Sequence, residues 1–404
     1  MKKILSLLLL FCTMAVNAGT LSGPYPGKVG QDSFTPSDKD TLVSIAERVL
    51  NKKFTSRFNV DFCTSINGSL TDGVFDEAYL KLNRVRFNMR GKFTDRFSYR
   101  IRYSFNKSYS KNSLDNVPPA LEYANIQWHP DDCFKLTIGK QFLNCAGYEA
   151  LGNSLYIREF ASFNNSLSFY RIAVTAAIKP DKERNHEIAF QITNNREKAD
   201  SDIYRYGLPE GCESARFPFL YSVRWNGWMA DRAVNLHYGA AAGPLAKGKN
   251  VYYLTCGNVY EKGPIMTYLD VMFSREEIDL QQRVTSLQGD GLSGVTAANT
   301  QYLSFIAKFD YRFHPKWNAY VKGAYETASV YKSNGIFEKG RYITEWNAQA
   351  SVEWLPFTND KGFKVFLHYI YRGMQLGSRA RSLNATVHDV QRISAGVIYE
   401  LPIF

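Results

Sequence analysis

The sequence predicts an all-β fold: a transmembrane antiparallel β-barrel of 16 strands with a short N-terminal periplasmic helix. Three observations carry that expectation. From Phe54 onward, apolar and polar side chains alternate at period 2 over segments of about ten residues. The connections between those segments alternate between short and long. Trp128, Trp225, Trp317 and Trp354 all stand beside short connections, where an interfacial aromatic girdle places them.

Composition narrows the alternatives. Of 404 residues, 45% are hydrophobic and 22% charged, which excludes a disordered chain, a collagen-like repeat and a polytopic helical membrane protein. The single long apolar run, Ile4 to Val16, follows Lys2 and Lys3 and ends in Val16-Asn17-Ala18. Residues 1–18 therefore read as a secretory signal cleaved before Gly19. A lipoprotein reading would acylate Cys12, but Phe11 precedes it where a small residue is needed. Removing the signal takes two lysines and no acid, leaving 47 Lys and Arg against 38 Asp and Glu. An exported basic protein of this kind is expected to meet small anionic solutes and outer-membrane lipid, not nucleic acid. Cys63, Cys133, Cys145, Cys212 and Cys256 have no CxxC spacing and outline neither a disulfide framework nor a zinc site; a single Cys145–Cys212 bridge between loops stays open.

In chain order, residues 19–53 form a lead-in. Pro24, Pro26 and Pro36 keep 19–36 extended, and Ser37 or Asp38 caps an amphipathic helix over 38–51 with Leu42, Ile45, Ala46 and Val49 on one face. The barrel occupies 54–404, with strands near 54–63, 78–91, 96–107, 121–129, 133–141, 169–179, 186–194 and 216–226, then 233–242, 250–260, 264–274, 301–313, 316–328, 341–354, 363–373 and 389–404. Alternation is clearest where Phe97, Tyr99, Ile101, Tyr103 and Phe105 interleave with Arg96, Ser98, Arg100, Arg102 and Ser104. Short turns fall near 94–95, 130–132, 180–185, 227–231, 261–263, 314–315 and 356–362. Longer connections cover 64–77, 108–120, 142–168, 195–215, 243–249, 275–300, 329–340 and 374–388, which leaves both barrel ends on the short-turn side.

A sixteen-stranded barrel is too wide for side chains to fill, so its polar face lines a water-filled channel. Strand 78–91 points Arg84, Arg86, Asn88 and Arg90 inward, and its hairpin partner adds Arg96, Arg100 and Arg102. Arg84 and Arg86 are expected near Arg102 and Arg100 across the pair. Two uses of such a wall stand side by side: a transverse field set against acids of a folded-in loop, or a ladder that guides anions. The longest connection, 142–168, is the candidate constriction loop. It holds Tyr148, Glu149, Tyr156, Arg158, Glu159 and Phe160, with Arg171 at the head of the next strand. The alternative is a loop that caps the outer mouth.

Residues 136–168, LTIGKQFLNCAGYEALGNSLYIREFASFNNSLS, and 84–92, RVRFNMRGK, resemble the constriction-loop stretch and the early arginine-rich strand of the phosphate-selective porin O and P family. The resemblance implies a sixteen-stranded, usually trimeric porin of the bacterial outer membrane that passes small solutes by diffusion and leans toward anions, phosphate among them. By the same resemblance Arg84, Arg86, Arg100, Arg102, Arg158 and Arg171 are the pore-lining cations. Asn144-Cys145-Ala146 departs from the Pro-Phe pair common there, and the expected N-terminal helix is shorter than the coiled-coil segment of many relatives. No enzyme, cofactor or metal site is expected, because the chain has neither HExxH nor GxSxG nor a Gly-rich phosphate loop. The alternatives are a surface-binding or adhesion barrel, working through loops 195–215 and 275–300, and an outer-membrane hydrolase.

Overall fold

The computed structural model describes residues 55–108, 117–152, 155–195, 203–289, 294–357 and 362–403. The signal, the lead-in, the helix expected over 38–51 and Phe404 lie outside the described residues. Within them, 16 antiparallel strands close into one barrel, each paired with its sequence neighbours and the first with the last. The first eight are β1 (Thr55–Thr71), β2 (Val74–Lys92), β3 (Phe97–Ser104), β4 (Leu121–Trp128), β5 (Phe134–Phe142), β6 (Tyr170–Ile178), β7 (His186–Asn194) and β8 (Phe219–Met229). The rest are β9 (Val234–Ala246), β10 (Lys249–Lys262), β11 (Ile265–Ile278), β12 (Ala298–His314), β13 (Trp317–Val330), β14 (Gly340–Trp354), β15 (Phe363–Leu376) and β16 (Val390–Pro402). Closure leaves no strand edge, which is what a sheet in hydrocarbon requires.

The outward face is apolar. Ile138, Val174, Phe190, Val223, Leu254 and Leu367 project from it and are exposed in the isolated chain. At the short-turn rim, Trp317 and Trp354 are directly paired and stack at 6.2 Å, while Trp128 meets Phe134 at 6.2 Å and pairs with Phe97. Trp225 is half-buried against Tyr238 at 5.5 Å. The hydrophobic core is inside the barrel, between in-folded loops and the inner faces of β9 to β15. Phe163, Tyr204, Met272, Tyr302, Phe337 and Leu383 belong to it.

Two connections expected to be long are tight turns. β1 and β2 run on to Asp72 and Gly73, whose φ values of 51° and 80° make the mirror-image turn that suits a twisted hairpin. β9 and β10 likewise meet at Lys247 and Gly248, with Gly248 at φ 71°. The wall is therefore uneven: β3 to β7 have only 8 or 9 residues, against 17 and 19 in β1 and β2. All five described cysteines are free, so Cys145 and Cys212 are not bridged.

Candidate functional site

The connection 143–169 leaves β5, crosses the lumen and returns to β6 after fastening itself to the far wall. It holds two one-turn helices, α1 (Tyr148–Leu151) and α2 (Ser162–Asn165). So short a helix leaves its first N–H groups without intrahelical partners, and wall carboxylates accept them. Asp270 on β11 accepts the Glu149 N–H at 2.7 Å, and Glu326 on β13 accepts the N–H groups of Ser162 and Phe163 at 2.7 and 2.8 Å. The Ser162 hydroxyl donates to Glu345 at 2.5 Å.

Both loop acids named from the sequence serve this attachment. Glu149 is buried, accepts from the Ala161 N–H at 3.1 Å and from Asn164 at 2.6 Å, and pairs with Lys322 at 2.5 Å. Glu159 pairs with Arg372 and Arg392 at 2.5 Å each. These partners stand on β13, β15 and β16, and Glu159 also lines, with Arg84 of β2, the cleft between the loop and the wall. Arg158 is likewise pinned: it donates to the Leu155 carbonyl at 3.0 Å, lies 3.9 Å over the Phe366 ring and sits 3.7 Å from Glu353. Tyr156 donates to Glu400 at 2.8 Å, and Tyr148 packs on Tyr268 at 5.5 Å. Burial, reinforced by nearby carboxylates, raises both phenols above their ordinary pKa, so each stays a protonated donor. Burial also pushes the Cys145 thiol up to about 12, which leaves it inert. Phe160 is half-buried, 6.2 Å from Phe169.

The basic wall has its own arrangement. Arg86 donates to Asp61 at 2.7 Å and stands 3.7 Å from Glu122. Arg102 and Lys107 reach Glu122 at 2.7 and 2.8 Å. The Arg100 and Arg102 guanidinium groups lie 3.8 and 4.5 Å from the Tyr123 ring centre, and Arg102 also hydrogen-bonds the Tyr170 hydroxyl. Stacking of this kind holds a guanidinium plane in place while leaving its charge intact. Arg84 is half-buried beside Arg86 and Glu122. Among the described residues, five cations thus stand with two carboxylates on one side of the lumen.

The register differs from the expected one. Arg90 is opposite Arg100 and Asn88 opposite Arg102, while Arg86 faces Ser104. The cause is a four-residue turn, 93–96, in which the Thr94 hydroxyl accepts the N–H groups of Arg96 and Phe97 at 3.3 and 3.2 Å. Arg96 is accordingly exposed in the turn, not on the lumen face of β3. Arg171 is buried and donates to the carbonyls of Ser168 and Asn194 at 3.2 and 3.1 Å, tying the loop's end to β7. Sequence reasoning missed Asp61, Lys107, Glu122, Tyr123 and Tyr170. Asp61 carries the same alternation signal as its neighbours, whereas Glu122 is the extra residue at a register shift between β3 and β4 and turns inward only because of that bulge.

A cleft of about 210 Å³ separates loop residues 155–159 from the wall of β1, β2, β15 and β16, with Lys81, Arg84, Arg158, Arg392 and His368 among its lining. A second, of about 170 Å³, lies below α1 against β3 to β9. Among the described residues no group of three or more His, Cys, Asp and Glu is placed to hold a metal ion.

The family described as phosphate-selective porin O and P matches residues 53–401. No curated protein matches the chain. Among solved structures, the outer membrane channel DcaP of Acinetobacter baumannii superposes with a TM-score of 0.61 at 9% identity, covering 89% of this chain and 99% of that one. The anion-selective porin from Comamonas acidovorans gives 0.53 at 8% identity over 86% and 100%. OmpT of Vibrio cholerae, in its trimer form, gives 0.52 at 10% identity over 86% and 100%. At such identities the likeness is one of fold.

Proposed function

We propose, for a chain that belongs to the phosphate-selective porin O and P family, a channel of the bacterial outer membrane whose passive diffusion favours small anions, inorganic phosphate and chloride alike. The observation that carries the anion preference is the distribution of acids. Glu149 and Glu159 are engaged by Lys322, Arg372 and Arg392 on β13, β15 and β16, and among the described residues Asp61 and Glu122 are the carboxylates set within the cluster of Arg84, Arg86, Arg100, Arg102 and Lys107. Selectivity follows the field at the narrow section, and here that field is positive.

The loop 143–169 is the constriction, and its fastening to Asp270, Glu326 and Glu345 keeps it in the lumen against thermal motion. The working unit is a homotrimer. The related fold of OmpT in a trimer form supports that assignment, and so does the outward stripe of Ile66, Phe75, Leu80 and Leu82, which continues along the tall β1–β2 hairpin beside the low wall of β3. The test is the zero-current potential of the reconstituted protein in a salt gradient, first with chloride and then with phosphate. A potential of cation sign in both would refute the reading.

A further inference from the structure

We infer that the chamber below α1 is a recognition site for a small polyhydroxylated organic anion of the sugar-acid class. The inference rests on the diffusion reading above and names a solute for which that channel has a built seat.

Two walls of the chamber differ in chemistry. On β7, β8 and β9, Glu187, Asn226 and His237 stand directly opposite one another, and Asn235 follows on the same face. Their orientations are set by bonds made on one side. Asn226 donates its amide to Glu187 at 3.4 Å, Asn235 donates to the Gly227 carbonyl at 3.3 Å, and the His237 ring bonds the Ala146 backbone. What remains is a triad of acceptors, Asn226 Oδ1, Asn235 Oδ1 and His237 Nε2, none of which has a hydrogen-bond partner. The three side chains are only 6, 8 and 3% exposed, and all line the chamber. Buried acceptors in this state call for donors from whatever occupies the space.

The charge around the triad selects among donors. Arg224 and Lys135 flank Glu187 at 3.4 and 3.8 Å, so two cations outweigh one carboxylate and an ammonium donor is disfavoured. A hydroxyl is the neutral donor that fits. Its oxygen also accepts, and Arg224 Nε beside the triad is itself without a partner. Across the chamber Arg100, held over the Tyr123 ring, supplies the positive charge for a carboxylate. Ala177 and Ala189 lie between the two walls and leave room for a chain of carbons. Inorganic phosphate would satisfy the arginine but brings no more than one or two O–H donors to three acceptors, so the occupant that matches both walls carries one acid group and several hydroxyls.

The experiment compares two six-carbon monoacids as blockers of chloride current through single reconstituted channels: gluconate, with five hydroxyls, and hexanoate, with none. Two or three added hydrogen bonds place half-block by gluconate at a concentration about tenfold lower than that by hexanoate. In the double variant Asn226→Leu, Asn235→Leu the two acids should block alike, each measured against that variant's own chloride current. Equal block of the wild-type channel by the two acids overturns the inference and leaves the diffusion reading intact. So does a gluconate preference that survives in the double variant. A folded protein that conducts no ions overturns the diffusion reading, and the inference with it.

Discussion

Charge selection can be worked from the structure with two substitutions of opposite sign. Counted over the described residues, the cluster around β2 and β3 holds three net positive charges, from Arg84, Arg86, Arg100, Arg102 and Lys107 set against Asp61 and Glu122. For a solute ~10 Å away in water each charge contributes ~0.4 kcal/mol, reduced to ~0.15 kcal/mol by screening at 0.1 M salt. Three charges then favour a monovalent anion and disfavour a cation by ~0.5 kcal/mol each, a permeability ratio of ~5. Replacing Arg100 and Arg102 with Gln removes two charges and should lower the ratio to ~2, whereas Glu122→Gln adds one and should raise it to ~8. Neither change touches the bond from Arg86 to Asp61, and the buried Glu122, on losing Arg102, keeps Lys107 at 2.8 Å and Arg86 at 3.7 Å.

The assay is the zero-current potential of single channels in a twofold KCl gradient centred on 0.1 M, repeated near 1 M. At high salt the screening length falls to ~3 Å and the three proteins should converge. A shift of the same sign from both substitutions would refute the reasoning, because only a change in pore shape, not in charge, moves them together. Potentials that stay apart at 1 M would place the selecting charges elsewhere.

The fastening of the loop gives a second prediction: Asp270→Asn with Glu326→Gln weakens the acceptors of both short helices, and single-channel conductance should rise or flicker between levels. Unchanged, steady conductance would mean that these bonds do not hold the loop. Gly139 sits at φ 120° with space for a Cβ only 2.3 Å from the Ala124 carbonyl oxygen, so Gly139→Ala should cost ~3 kcal/mol or more and abolish the heat-modifiable band on gels, while Gly73→Ala in its open turn should be far milder. His129, in the turn after β4 and 2.9 Å from the Ser98 hydroxyl, has its pKa lowered to about 4 by burial and by Lys135, Lys92 and Lys179. The unfolded chain binds that proton near pH 6.5, so its contribution is full above 6.5 and is lost as pH falls toward 4. Urea midpoints of the wild type should drop across that window, and those of His129→Gln should drop less.

How much of this was legible in the sequence depends on what each feature rests upon. Strand positions rest on period-2 alternation, and Phe97 to Phe105 or Leu303 to Tyr311 carry it plainly. The long hairpin of β1 and β2 was not legible by that rule, because Thr64, Gly68 and Ala78 interrupt its outward face, although the Asp72-Gly73 pair was a turn signal in plain view. The inward direction of Arg86, Arg100 and Arg102 follows from alternation; their pairing does not, since it is set by the four-residue turn at Thr94. Glu122 was invisible for a stronger reason. Parity counted from Ile126 sends it toward lipid, and a bulge reverses it.

That reversal bears on how the pore acquires its field. A wall of arginines repels itself, and like charges facing each other across strands are destabilising. The fold meets that cost locally: Glu122, turned inward by the bulge, and Asp61 on β1 stand among the arginines, while Tyr123 and Tyr170 hold guanidinium planes in place. Because the offset is local, the loop does not have to supply it. Glu149 and Glu159 are then available to bind β13, β15 and β16, and the constriction is fixed by those pairs. The consequence is separability. Substitutions in the Asp61 and Glu122 cluster should change selectivity with little effect on conductance, and substitutions at Lys322 or Arg392 the reverse. A fold in which loop acids neutralised the arginines directly would couple the two, so a plot of permeability ratio against conductance across both sets of variants distinguishes the arrangements.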